Sequence, residues 1–186
     1  MSFVAGIPTL DIQDFTKGSQ ELRNKFVSNL GNAYESIGFV AIHGHGIPDA
    51  LIEDLYAQSR DFFGLSPEQK KAYARPETNN QRGFVRMGVE HAKDSEAADL
   101  KEFWQVGQPN PPSDADLTHF PSNSDVAETP QFKATAEQAF EALENLGQIM
   151  LQAIAIHLKV DESYFEIQIN GVLEDDMQEF LAGEVQ

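Results

Sequence analysis

The chain contains no cysteine, which excludes disulfides, thiolate zinc sites, iron–sulfur clusters and a cysteine nucleophile. That absence fits a reducing compartment, and a cytoplasmic location is the expectation. Any metal must be held by His, Asp or Glu. Basic residues are scarce: 13 Lys and Arg face 30 Asp and Glu, a formal net charge of -17 over 186 residues. Such a field repels polyanions over a Debye length of about 8 Å, so neither nucleic acid nor an anionic membrane surface is an expected partner. Long apolar runs are missing as well, and nothing approaches the roughly 18 consecutive apolar residues of a membrane span. The opening MSFVAGIPTLD has no basic stretch ahead of an apolar core, unlike a secretory leader. No Gly-x-Ser-x-Gly elbow, phosphate-loop lysine or complete Gly-x-Gly-x-x-Gly is present, which leaves hydrolase and nucleotide-binding readings without support.

The length suits one core of ordinary size, and a single domain is expected. Ile7 to Gln13 alternates in part and predicts a short strand opened by Pro8. After Gly18, Ser19 is a candidate N-cap for a helix whose apolar face carries Leu22, Phe26, Leu30, Ala33 or Tyr34, and Ile37 and which ends at Gly38. Phe39 to Ile42 is a short apolar run that reads as a buried strand. Pro48 opens a second helix with Leu51, Ile52, Leu55, Tyr56, Phe62 and Phe63 on its apolar side. Ser66-Pro67-Glu68-Gln69 matches a capping box, and Arg75-Pro76 closes the helix it starts. Gly83-Phe84-Val85 reads as extended, and the stretch from Asp99 to Val106 as a strand or a helical turn. A proline-rich loop covers 108–130. Beyond Thr129-Pro130, Phe132, Ala136, Phe140, Leu143, Leu146, Met150, Ile154 and Leu158 recur every three or four residues. They predict a spine helix of about 29 residues, roughly 43 Å long. Asn170-Gly171 and the acidic stretch after it read as a turn and a short helix with Leu173, Met177 and Leu181 on one face.

Two groups of side chains are candidates for chemistry. His43 and His45 stand two apart, so a strand would present both imidazoles to one side and to one metal ion, with Glu90 or Asp99 as a third ligand. The competing reading makes Gly44 and Gly46 a tight turn in which the histidines are incidental. His91 and His119 lie in loops, and His157 sits in the apolar register of the long helix. Arg82, Arg86 and Lys101 are conspicuous in so acidic a chain. Arg82-Gly83-Phe84 places a planar donor fork beside a flexible backbone and an aromatic ring, an arrangement able to hold a carboxylate in a bidentate pair. The simpler alternative is a surface salt bridge to Glu90, Asp99 or Glu102.

Together these segments resemble a known family. Ile7-Pro8-Thr9-Leu10-Asp11, the helix ending in Ile37-Gly38-Phe39, His43-Gly44-His45-Gly46-Ile47-Pro48 and Phe62-Phe63 before Leu65-Ser66-Pro67-Glu68-Gln69-Lys70 come first. Arg82-Gly83-Phe84 and Asp99-Leu100-Lys101-Glu102-Phe103 follow in order. The set is similar to the N-terminal region of isopenicillin N synthase-like non-haem Fe(II)/2-oxoglutarate-dependent dioxygenases, over roughly residues 5–166. The long helix after the proline-rich loop, followed by Tyr164-Phe165, agrees with it.

The resemblance implies an oxidoreductase lineage that uses Fe(II) and 2-oxoglutarate to oxidise a small molecule. Arg82, Phe84, Arg86 and Glu90 would then lie toward the substrate. It also implies a His-x-Asp pair, a distant histidine and an Arg-x-Ser pair, and none of these patterns occurs: no histidine has Asp or Glu two places on, and no arginine has serine. The expectation is therefore an α+β, helix-rich dioxygenase N-terminal-like domain over 1–166 with a long spine helix and a few short strands. A short acidic tail follows over 167–186. The jelly-roll core and its metal ligands would be missing, so the chain is truncated, holds neither cofactor by itself and is inactive alone. Two alternatives stand beside this one. The first is an interaction module that self-associates or binds a protein partner through exposed apolar surface and the acidic tail helix. The second is a small metalloenzyme built on His43 and His45.

Overall fold

Asp11 decides the first change of structure, because its carboxylate accepts from the Gln13 amide at 3.0 Å and caps a helix where alternation predicts more strand. The computed structural model describes residues 2–4, 6–89, 100–110 and 120–166. In chain order they form β1 (Ser2–Val4), β2 (Ile7–Asp11), α1 (Ile12–Thr16), α2 (Gln20–Ser36), β3 (Ala41–His43), α3 (Asp49–Phe63) and α4 (Pro67–Lys71). A single 3-10 turn (Pro76–Thr78), β4 (Gly83–Val85), β5 (Phe103–Gln105) and α5 (Phe132–His157) follow. This is the mixed α+β content expected. The contacts gather in two compact units, one made of 1–46 with 145–186, the other of 47–144. The predicted helix beyond Asn170 lies outside the described residues.

In the first unit, β2 is the middle strand of three. It runs antiparallel to β1 and parallel to β3, with Thr9, Leu10 and Asp11 opposite Ala41, Ile42 and His43. A parallel pair needs a crossover, and α1 and α2 supply it. Ser19 caps α2 as the sequence predicts, accepting from the Leu22 amide at 3.4 Å. Leu10, Ile12, Phe15, Phe26, Val27 and Leu30 close on Ala153, and Leu146, Ile149, Met150 and Ile154 of α5 pack around them. The middle of the apolar spacing read along α2 and α5 is thus the core of this unit, while Leu22 and Ile37 at the ends of the α2 face and Leu158 just beyond α5 are exposed, where the helix ends run past the sheet. The run Phe39–Ile42 is not a buried strand. Phe39 is 68 % exposed, because Gly38 at φ 81° turns the chain outward before β3 joins the sheet edge.

One glycine of α2 is there for packing. The His157 imidazole lies over Gly31, and a β-carbon at that position would overlap the ring. The ring also bonds Glu35 through Nε2 at 3.1 Å. Gly31→Ala gains about 1 kcal/mol of helix propensity but forces the ring off its seat, a strain of about 1–3 kcal/mol. Urea unfolding should therefore show Gly31→Ala no more stable than the parent. Gly31→Ala combined with His157→Ala should regain the propensity term, and a double variant less stable than Gly31→Ala alone would contradict this packing.

The second unit is built on aromatic rings. Phe62, at 0 % exposure, has Trp104 at 4.7 Å, Phe63 at 5.3 Å, Phe132 at 5.5 Å, Phe84 at 5.9 Å and Tyr73 at 6.0 Å between ring centroids. Most pairs are edge-on, the geometry ring quadrupoles favour. The capping box is present: Ser66 Oγ accepts from the Gln69 amide at 3.3 Å, and Gln69 Oε1 accepts from the Ser66 amide at 3.1 Å. β4 pairs antiparallel with β5, setting Gly83, Phe84 and Val85 opposite Gln105, Trp104 and Phe103, so of the undecided stretch from Asp99 to Val106 the part Phe103–Gln105 is strand. Tyr56, expected on the buried side of α3, is exposed. It stands about 100° around the helix from Leu55, and Leu55 takes the place against the ring cluster. α5 has 26 residues, or about 39 Å, slightly shorter at both ends than its apolar repeat suggests.

Candidate functional site

The segment from Arg82 to Arg86 folds with its three candidate side chains in different settings. Gly83 adopts φ 77°, and a β-carbon there would run into the Tyr73 carbonyl, whose oxygen accepts from the Phe84 amide at 3.0 Å. This kink lets β4 start against the backbone of Tyr73 and Ala74. Phe84 is a core ring, packed on Phe62 and covered by the Lys70 ammonium at 5.7 Å. Arg86 is exposed. Glu90, like Asp99, His91 and His119, lies outside the described residues.

Arg82 is buried to 9 % exposure, and its guanidinium lies on Gly107, where a β-carbon would overlap it. Gly107 is held from both sides by Asn123, which accepts from its amide and donates to its carbonyl, each at 2.9 Å. Asn123 Nδ2 also donates to Glu137 Oε1 at 2.9 Å, tying this loop to α5. Arg82 Nη1 donates to the Gln81 carbonyl at 2.7 Å, while its Nε has no partner. Among the described residues no carboxylate pairs with it. Burial, and secondarily Arg75, pulls the Arg82 guanidinium below its ordinary pKa. Arg75 is already engaged, with Nε on Glu77 Oε1 at 2.8 Å and Nη1 on the Ser122 carbonyl at 2.7 Å. A β-carbon on Gly83 would come 3.6 Å from Ser124 Oγ, a second buried donor without a partner.

Of the salt-bridge partners that the sequence offers, Glu90 and Asp99 lie outside the described residues. Glu102 instead takes the buried Lys70 ammonium at 2.6 Å. The sequence does not point to Gly107, Asn123 or Ser124. They stand 25 to 42 residues from Arg82, in or just before the proline-rich loop, and only the pairing of β4 with β5 brings Gly107 back.

The histidine pair reads differently in three dimensions. His43 Nδ1 is 3.6 Å from Asp11 Oδ2, across the β2–β3 register. Gly44 and Gly46 both hold positive φ, 66° and 75°, and a β-carbon at Gly44 would strike the Asp11 carboxylate. The stretch is a glycine turn closing on the capping aspartate of α1. His157 is the satisfied helix histidine described above. Among the described residues no three His, Asp or Glu side chains converge in a group able to hold a metal ion. No chemical step through iron is derived from these described residues.

Comparison with known proteins decides the lineage. The family model of the non-haem dioxygenase N-terminal region, described from morphine synthesis, matches residues 7–125. The chain belongs to the non-haem dioxygenase family. Proline hydroxylase buaE of Petromyces alliaceus is 32 % identical over 165 residues, covering 86 % of this chain and 50 % of its own. The 2-oxoglutarate-dependent dioxygenase gloF of Glarea lozoyensis is 31 % identical over 166 residues, covering 84 % of this chain and 50 % of its own. A 2OG-Fe(II) oxygenase family protein from Caulobacter crescentus superposes with TM-score 0.73 at 31 % identity, over 86 % of this chain and 51 % of that one. A full-length Neurospora crassa protein, crystallised in complex with alpha-KG, superposes with TM-score 0.68 at 25 % identity, over 86 % and 49 %. The dioxygenase chain thus spans about half the length of the curated relatives it matches. These relatives favour an oxygenase lineage over an interaction module or a small histidine metalloenzyme. Among the described residues no helix is long and apolar enough to cross a membrane.

Proposed function

We propose that this chain is the helix-rich N-terminal part of a non-haem iron, 2-oxoglutarate-dependent oxygenase that oxidises a small molecule. In this reading it shapes and positions the substrate and does not carry the metal chemistry by itself. The observation that carries the proposal is the family match over residues 7–125. Fe(II) and 2-oxoglutarate are the cofactors of the whole enzyme, the first activating oxygen and the second supplying two electrons. Substrate contact falls to Arg82 and Arg86, with Glu90 beside them in sequence, while Phe84 supports them from the ring cluster.

Anaerobic titration of the purified chain with Fe(II), followed by oxygen-dependent 2-oxoglutarate consumption, tests the reading. Iron binding no tighter than millimolar and no turnover is the expected result. Micromolar iron affinity together with turnover would overturn it, since a metal centre would then exist within these 186 residues. The His43→Ala, His45→Ala variant belongs in the same experiment, and it is expected to leave metal content unchanged.

A further inference from the structure

Arg82 poses a problem that the oxygenase lineage does not answer. A guanidinium stays charged when buried, because its pKa is too high for it to escape by losing a proton. A buried charge that lacks a counter-charge is strongly destabilising. This protein has 30 carboxylates, yet among the described residues none is paired with Arg82, although it is nine-tenths buried. The seat is nonetheless built. Gly107 leaves room for the planar group and Asn123 clamps Gly107 at both its amide and its carbonyl. Next to Arg82, the kinked Gly83 faces Ser124 Oγ, also buried and unpartnered. A buried guanidinium whose Nε lacks an acceptor describes a place for an anion.

We propose that the Arg82 guanidinium, backed by Gly107, seats a carboxylate carried by the small-molecule substrate. The inference rests on the reading that this region faces substrate. A carboxylate is the better fit than a phosphate, because a single guanidinium fork matches a planar anion with one charge. The other guanidinium of the corner, that of Arg75, is already held by Glu77 and the Ser122 carbonyl. Arg82 orients the substrate here and moves no proton.

Acetate and benzoate, each compared with chloride at equal ionic strength, serve as probes on the full chain without iron. Two readouts are followed: the Tm and the Nε–H resonance of Arg82 in a 15N spectrum. A saturable rise in Tm and a shift of that one resonance are expected with both carboxylates. Arg82→Lys keeps the charge and loses the fork, so it should weaken binding at least tenfold, while Arg60→Gln, at an exposed position the site does not use, should bind as the parent does. Circular dichroism establishes that Arg82→Lys is folded; if it is not, Gly107→Ala, which displaces the guanidinium without removing it, takes its place with the same expected loss. Equal Tm in carboxylate and chloride, or an unmoved Arg82 resonance, would overturn the proposal, as would a variant at Arg82 or Gly107 that binds like the parent. Phosphate binding more tightly than benzoate would overturn the assignment to a carboxylate. None of these readouts involves iron or turnover, so this proposal and the oxygenase reading fail separately.

Discussion

Replacing Phe62 with alanine is expected to lower the unfolding free energy of the second unit by about 3–5 kcal/mol. Phe62 is the hub of the ring cluster: Phe63, Tyr73, Phe84, Trp104 and Phe132 all lie within 6.0 Å of its centroid, and all but Phe63 come from other stretches of the chain. Truncation removes the transfer free energy of one large side chain and leaves a cavity whose walls belong to different elements, so they cannot all collapse inward together. The chain has a single tryptophan, Trp104, 4.7 Å from Phe62. Its fluorescence in a urea titration therefore reports on this unit alone. Phe62→Leu, which keeps most of the volume, should recover more than half of the loss. A Phe62→Ala loss under about 1 kcal/mol would mean that the cluster is not the core of the unit.

The second large effect is expected at Glu102. Lys70 is buried, with its Nζ donating to Glu102 Oε1 at 2.6 Å and to the Phe63 carbonyl at 3.2 Å. Removing only the carboxylate, as in Glu102→Ala, leaves an ammonium with one neutral acceptor and the face of Phe84. Breaking a buried pair from one side costs about 3–5 kcal/mol; because the Glu102 side chain keeps 23 % of its exposure, water tempers this and about 2–3 kcal/mol is expected. Lys70→Met with Glu102→Leu removes both charges from a site already lined by apolar groups, and this double variant should regain most of the loss. The same fluorescence titration decides the matter. If the double variant is as unstable as Glu102→Ala, packing around these side chains and not the orphaned charge is responsible.

Several elements were readable from short stretches because their causes are local. A capping box is four residues long, and Ser66 to Gln69 contains everything needed to make it. The spacing of Phe26 and Leu30, or of Met150 and Ile154, fixes which face of a helix is apolar wherever that face ends up. Failures arose where two local rules competed. Asp11 completes the strand alternation and also caps a helix, and the cap prevails because its acceptor satisfies an amide that the strand end would leave open. Phe39 is as apolar as a core residue, but its direction is set by the backbone of Gly38 and not by its own chemistry.

The site divides in the same way. By itself the sequence determined the lineage, the helix faces, the caps, the glycine turn at His43 to Pro48 and the acidity that sets an arginine apart. These depend on residue type and on spacings shorter than one element. Only the tertiary structure decided that Phe84 is a core ring, that Glu102 answers Lys70, and that Arg82 lies buried on Gly107. Pairing β4 with β5 and folding the loop at Asn123 back onto Gly107 brings together residues 25 to 42 positions apart. Burial is a property of what surrounds a side chain, and for Arg82 those surroundings come from other parts of the chain.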